Sequence, residues 1–68
     1  MAISLKAARV NADLSRPVVV KRLKDEKDVK ISINTLASYE NNKTQPDIIT
    51  ASALASLYEM SVDDISWV

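Results

Sequence analysis

The stretch Ser32-Ile33-Asn34-Thr35-Leu36-Ala37-Ser38-Tyr39-Glu40-Asn41-Asn42-Lys43 decides how this chain folds. Ser32 carries the short oxygen-bearing side chain that accepts from the free N–H groups of a helix start. Behind it, Leu36 and Tyr39 or Glu40 sit at helical spacing. Asn41-Asn42 closes the segment, because asparagine tolerates the left-handed backbone that glycine usually supplies at a helix end. The spacing predicts a short helix from about Ile33 to Asn41.

Working outward from it, the rest of the chain also reads as helices. Glycine is absent and proline occurs only at 17 and 46, so tight hairpin turns, which need residues at positive φ, have almost no support. Upstream, Leu5, Ala8, Arg9 and Ala12 form one stripe and predict a first helix from about Ser4 to Asn11, after which Leu14 enters the core. Ser15 caps a second helix of about residues 15–24, with Pro17 in its first turn and Val19, Val20 and Leu23 as its apolar face. The mixed-charge run 24–30 is an insert, either a solvated extension of that helix or a loop. Downstream of Lys43-Thr44-Gln45-Pro46, Asp47 caps a fourth helix whose Ile48, Ala51, Leu54, Ala55 and Tyr58 make a broad apolar face. Ser61-Val62-Asp63-Asp64-Ile65, a Ser cap with acid in the first turn, predicts a short fifth helix. Leu36, Tyr39, Leu54, Leu57, Tyr58 and Ile65 are assigned to the core.

Sixty-eight residues are read as one domain, 1–68, that buries only about 60% of its unfolded surface. With neither cysteine nor histidine, the chain has no disulfide framework, no thiolate or imidazole metal site and no general-base histidine. No nucleophile–base pair is evident, so the expectation is a non-enzymatic protein with no catalytic residues, no metal and no cofactor. No apolar run approaches the ~18 residues that would cross a bilayer and no signal core is present, which gives a cytoplasmic expectation without a membrane partner. The formal net charge is zero, which is unexpected for a nucleic-acid binder. Its distribution is polarised, however. Residues 1–24 hold Lys6, Arg9, Arg16, Lys21, Arg22 and Lys24 against Asp13 alone, whereas residues 44–68 hold Asp47, Glu59, Asp63 and Asp64 and no cation.

The order of these pieces is similar to the Cro and phage-repressor helix-turn-helix family, also called XRE-like or lambda-repressor-like. Leu14-Ser15 resembles its entrance to helix two, and Ile31-Ser32 with Thr35 to Lys43 resembles its recognition helix and the following turn. Pro46-Asp47, Leu54-Ala55 and Met60 to Ile65 resemble the stretch packing its last helices. The resemblance covers about four fifths of the chain and implies an all-α, compact five-helix domain with an extended helix two or an enlarged turn before the recognition helix. Three departures stand out. Arg16-Pro17 lies where the family usually has glutamine, seven residues separate Leu23 from Ile31 where about one is typical, and Asn42 replaces a glycine.

Carried onto this chain, the resemblance implies base contacts in the major groove from Ile33, Asn34, Ala37 and Ser38. Asn34 has the amide for a bidentate contact to adenine, Ser38 donates or accepts, and Ile33 and Ala37 suit thymine methyls, so an A·T-leaning site is expected. For Asn34 a capping or surface role stands beside this reading, and for Ile33 a hydrophobic staple or a protein contact. Phosphate contacts fall to Arg16, Asn41, Lys43 and Thr44, with Lys21, Arg22 and Lys24 as weaker candidates. Trp67, with Val62, Ile65 and Val68 beside it, reads either as an interface in a homodimer or as a plug for the chain's own core. The leading function is a Cro-like transcriptional regulator, a repressor acting as a dimer on an operator in double-stranded DNA. The alternative is a bacteriophage antirepressor or modulator that binds a phage repressor protein. Zero net charge, the insert, the absence of a cation on the reading helix and apolar Ile33 favour that alternative.

Overall fold

Ser4, Ser15, Ser32 and Asp47 stand directly before the four α-helices among the described residues: α1 (Leu5–Asn11), α2 (Arg16–Lys27), α3 (Ile33–Glu40) and α4 (Ile48–Leu57). The computed structural model describes residues 2–67. Three of these caps hold their helix by a side-chain bond. Ser4 Oγ accepts from the Ala7 N–H at 3.0 Å, Ser32 Oγ from Thr35 at 3.0 Å and Asp47 Oδ1 from Thr50 at 2.9 Å. Ser15 makes no such bond. There Pro17, which has no N–H, leaves one donor fewer to satisfy.

Without glycine, each helix is closed by another residue type in the left-handed region: Asp13 at φ 59°, Asp28 at 54°, Asn42 at 60° and Glu59 at 57°. The reversal lets a following N–H reach back to a free carbonyl. Leu14 donates to Arg9 at 3.3 Å, Lys43 to Ser38 at 2.9 Å, Met60 to Ala55 at 2.9 Å, and Val29 to Leu23 at 3.0 Å.

The core forms where the inner faces converge. Val19 and Leu23 of α2, Leu36 of α3 and Leu54 of α4 are fully buried, joined by Leu5, Ala8, Leu57, Tyr58 and Ile65. Leu14 and Tyr39 are half-buried against them. Ile48 departs from its expected place on the inner face of α4. As the first residue of the helix it is 72% exposed, and its neighbour Ile49 is 69% exposed.

One further expectation is corrected. The fifth helix is a single 3-10 turn, Val62–Asp64, capped by Ser61 Oγ, and the chain then straightens into a two-residue strand, β2 (Ile65–Ser66), parallel to β1 (Ile3–Ser4). Ile3 pairs with Ile65 and Ser4 with Ser66. The cap and first-turn acids start the turn, but one turn is too short to be held by helix cooperativity. β-branched Ile65 instead gains burial and a strand partner by extending. Helix α2 also continues past residue 24 to Lys27, so the insert is partly helix and partly turn. Arg22 and Glu26 pair at i,i+4 along this added turn, with Nε–Oε2 at 2.7 Å, and Lys27 Nζ donates to Ser56 Oγ of α4 at 2.9 Å. Val29 and Ile31, half-buried against the core, anchor the connection that follows.

Candidate nucleic-acid interface

Helix α3 faces two ways. Leu36 and Glu40, four residues apart, point inward and are buried, while Ile33 (44% exposed) and Asn34 point outward. Ala37 and Ser38 are half-buried and continue that outer side by one turn. Asn41, Lys43 and Thr44 are exposed in the connection that follows. The expected base-contacting set and three of the four expected phosphate-contacting residues therefore lie in one run of chain, with their side chains at least partly in solvent.

Arg16, the fourth, is placed differently. The Glu40 side chain is completely buried and accepts from two guanidinium groups. Arg9 of α1 reaches Oε2 through Nε at 2.7 Å and Oε1 through Nη2 at 3.4 Å. Arg16 of α2 reaches Oε1 through both Nε and Nη2 at 2.9 Å. Arg9 Nη1 also donates to the Leu14 carbonyl at 2.9 Å, which fixes the turn between α1 and α2. One carboxylate thus ties α3 to both preceding helices and leaves one positive charge in excess. The Arg16 side chain, 32% exposed, carries the solvent-facing part of that charge. Beside the cluster lies Tyr58, whose buried hydroxyl has no hydrogen-bond partner among the described residues. Burial raises its phenol above the ordinary range, and the negative Glu40 raises it further.

Sequence reading did not anticipate this cluster. In the sequence Arg9 belongs to an apolar stripe and Glu40 to a helical repeat, and the two are thirty-one residues apart. The usable signal was a carboxylate four residues beyond Leu36 on an inward face, which needs a cation that local sequence does not supply.

Of the two readings open for the tail, an interface or a plug for its own core, its packing favours the second. Ile65 is buried at 3% exposure, Val62 and Trp67 are half-buried against the core, and Trp67 Nε1 donates to the Val62 carbonyl at 3.0 Å. The indole folds back on its own chain because one extended residue after Ile65 brings it over the 3-10 turn. Val68 lies outside the described residues.

A helix-turn-helix family model, of XRE-like type with Cro and lambda repressor among its kind, matches residues 5–65, from the first residue of α1 into β2. No curated protein and no solved structure matches the chain. The match covers nearly all of the sequence, and the family is one of DNA-binding transcription regulators, generally without enzymatic activity. Among the described residues no helix is long and apolar enough to cross a membrane.

Proposed function

We propose, from the premise that this chain belongs to the XRE-like helix-turn-helix family, that it is a sequence-specific double-stranded DNA-binding regulator of Cro or repressor type, with α3 in the major groove. The outward side of α3 is the observation that carries this reading. It is a capped helix, anchored from behind by Leu36 and Glu40, that presents Ile33, Asn34, Ala37 and Ser38 as one contiguous strip. Asn34 reads adenine through its amide, while Ile33 and Ala37 pack on thymine methyls, which favours A·T pairs. Lys43, Thr44 and Asn41 hold phosphate. Arg16, with one edge of its guanidinium on Glu40, keeps the Nη1 hydrogens and the second Nη2 hydrogen for the backbone. Two copies on a two-fold operator place their recognition helices roughly 34 Å apart.

Binding of the full chain to A·T-rich and mixed duplexes, followed by fluorescence anisotropy against salt, tests the proposal. Affinity falls linearly on logarithmic axes, and Asn34→Ala loses about 1–3 kcal/mol at one operator position only. A slope near zero overturns the reading.

Ile33 favours the second reading. A β-branched residue 44% exposed at the head of α3, on a chain of zero net charge, suits a protein groove as well as a DNA groove. An antirepressor captures a phage repressor in a pull-down and shows no salt-dependent DNA affinity.

A further inference from the structure

Helix α3 carries no cation, and the one charge it has, Glu40, is buried and already paired. Any attraction of this helix to a polyanion comes from residues flanking it. Two exposed lysines do so symmetrically. Lys30 lies three residues before Ile33, and Lys43 lies three residues after Glu40. Neither forms an ion pair among the described residues, in contrast to Arg9, Arg16 and Arg22. The segment carrying Lys30 is also firmly seated. Val29 and Ile31 are half-buried against the core while Lys30 between them is exposed, an alternation that holds the backbone down and turns the lysine out.

We infer that Lys30 is a phosphate-binding residue and that the inserted segment after α2 serves to deliver it, so that Lys30 and Lys43 grip the two phosphate walls of the groove into which α3 fits. This rests on the operator reading proposed above. Eight residues of helix span about 12 Å, so the two lysines flank opposite ends of α3, and each has a four-carbon arm with which to reach outward from its end. The insert's other two lysines are placed otherwise. Lys27 keeps its charge but is held at Ser56 of α4, and Lys24 lies within α2.

Lys27 and Lys30 provide a matched pair for the test, because both lie in the insert and Lys→Gln removes the same charge from each. Duplex binding is measured by anisotropy from 50 to 200 mM salt, a range suited to the slope, for the full chain and for Lys27→Gln, Lys30→Gln and Lys43→Gln, with circular dichroism confirming that each is folded. Lys30→Gln lowers the salt slope by about one and weakens binding roughly tenfold at ~0.1 M salt on every sequence. Lys27→Gln changes neither. If Lys43→Gln lowers the slope and Lys30→Gln does not, the inference is overturned and the operator reading survives. Equal losses in Lys27→Gln and Lys30→Gln also overturn it, since bulk charge then accounts for the effect. If the unsubstituted chain shows no salt-dependent binding, the operator reading fails and this inference fails with it.

Discussion

At the scale of single residues, Glu40 ties the reading helix to both helices that precede it. A carboxylate removed from water is tolerated only if cations replace the lost hydration, and here two do so from different helices. Replacing it with glutamine leaves Arg9, only 12% exposed, facing an uncharged amide deep in the domain. Glu40→Gln therefore destabilises the protein by about 3–5 kcal/mol, the range for breaking one side of a buried pair, and urea denaturation measures it. Arg16→Gln costs less, because Arg16 is 32% exposed and Arg9 still satisfies the carboxylate. Equal losses in the two variants would contradict the asymmetry seen in the cluster. The cluster was not legible in the sequence because its partners come from three helices and meet only after the chain has folded. The outward placement of Asn34 was legible, since two residues of helix put it opposite Leu36, whereas Ile33, three residues from Leu36, is exposed as the first residue of the helix and not by the period.

At the scale of elements, the beginnings of helices were easier to read than their ends. A cap acts within three residues, so Ser32, Asp47 and Ser61 each announce a turn of helix whatever the rest of the chain does, and Ser15 does so with Pro17 in the first turn behind it. How far the helix continues depends on distant partners. Ser56 receives Lys27 and so supports the added turn of α2, whereas β1 recruits Ile65 and ends the 3-10 turn early. The cap of α4 is sensitive to pH. Hydrogen bonds from Thr50 hold the Asp47 carboxyl below its ordinary value. The sign follows directly: a depressed folded-state value stabilises above the ordinary carboxylate range, and that stability is lost as pH falls through the lower, folded value. Asp47→Asn keeps an acceptor and removes the titration, so the acid limb of its stability-against-pH curve is shallower than that of the parent in thermal melts. The C-terminal reversals respond differently. Asp and Asn accept the left-handed region with little penalty, but Glu59 has no such tolerance. Glu59→Gly raises stability by about 0.5–1 kcal/mol, whereas Asn42→Gly gains less, and a ranking in the opposite order would refute the account of helix closure.

At the scale of the whole molecule, charge and connectivity separate the two ends of the sequence in one sense and join them in another. The basic first third and the acidic last third oppose each other electrically, yet β1 and β2 bring residues 3–4 and 65–66 side by side. A parallel ribbon of two residues per strand is too short to be stable alone and depends on the side chains packed over it. Ile3 and Ile65 supply one part of that packing, and Trp67, folded back onto Val62, supplies another. The sequence left two uses open for this indole, a partner surface or a plug, because nothing local shows whether a tail returns to its own core. The hydrogen bond to the Val62 carbonyl favours the plug. Truncating a half-buried aromatic removes part of the 3–5 kcal/mol that a fully buried one is worth, so Trp67→Ala costs about 2 kcal/mol. In a domain of this size that lowers the melting temperature by roughly 8–16 °C. Trp67→Phe retains most of the packing, loses only the indole donor, and costs about 1 kcal/mol. Sedimentation measured below both transitions gives the same mass for each variant as for the parent. A Trp67→Ala protein that melts like the parent but sediments as a smaller species would show instead that the indole belongs to an interface between copies, and that the ribbon closes the fold without it.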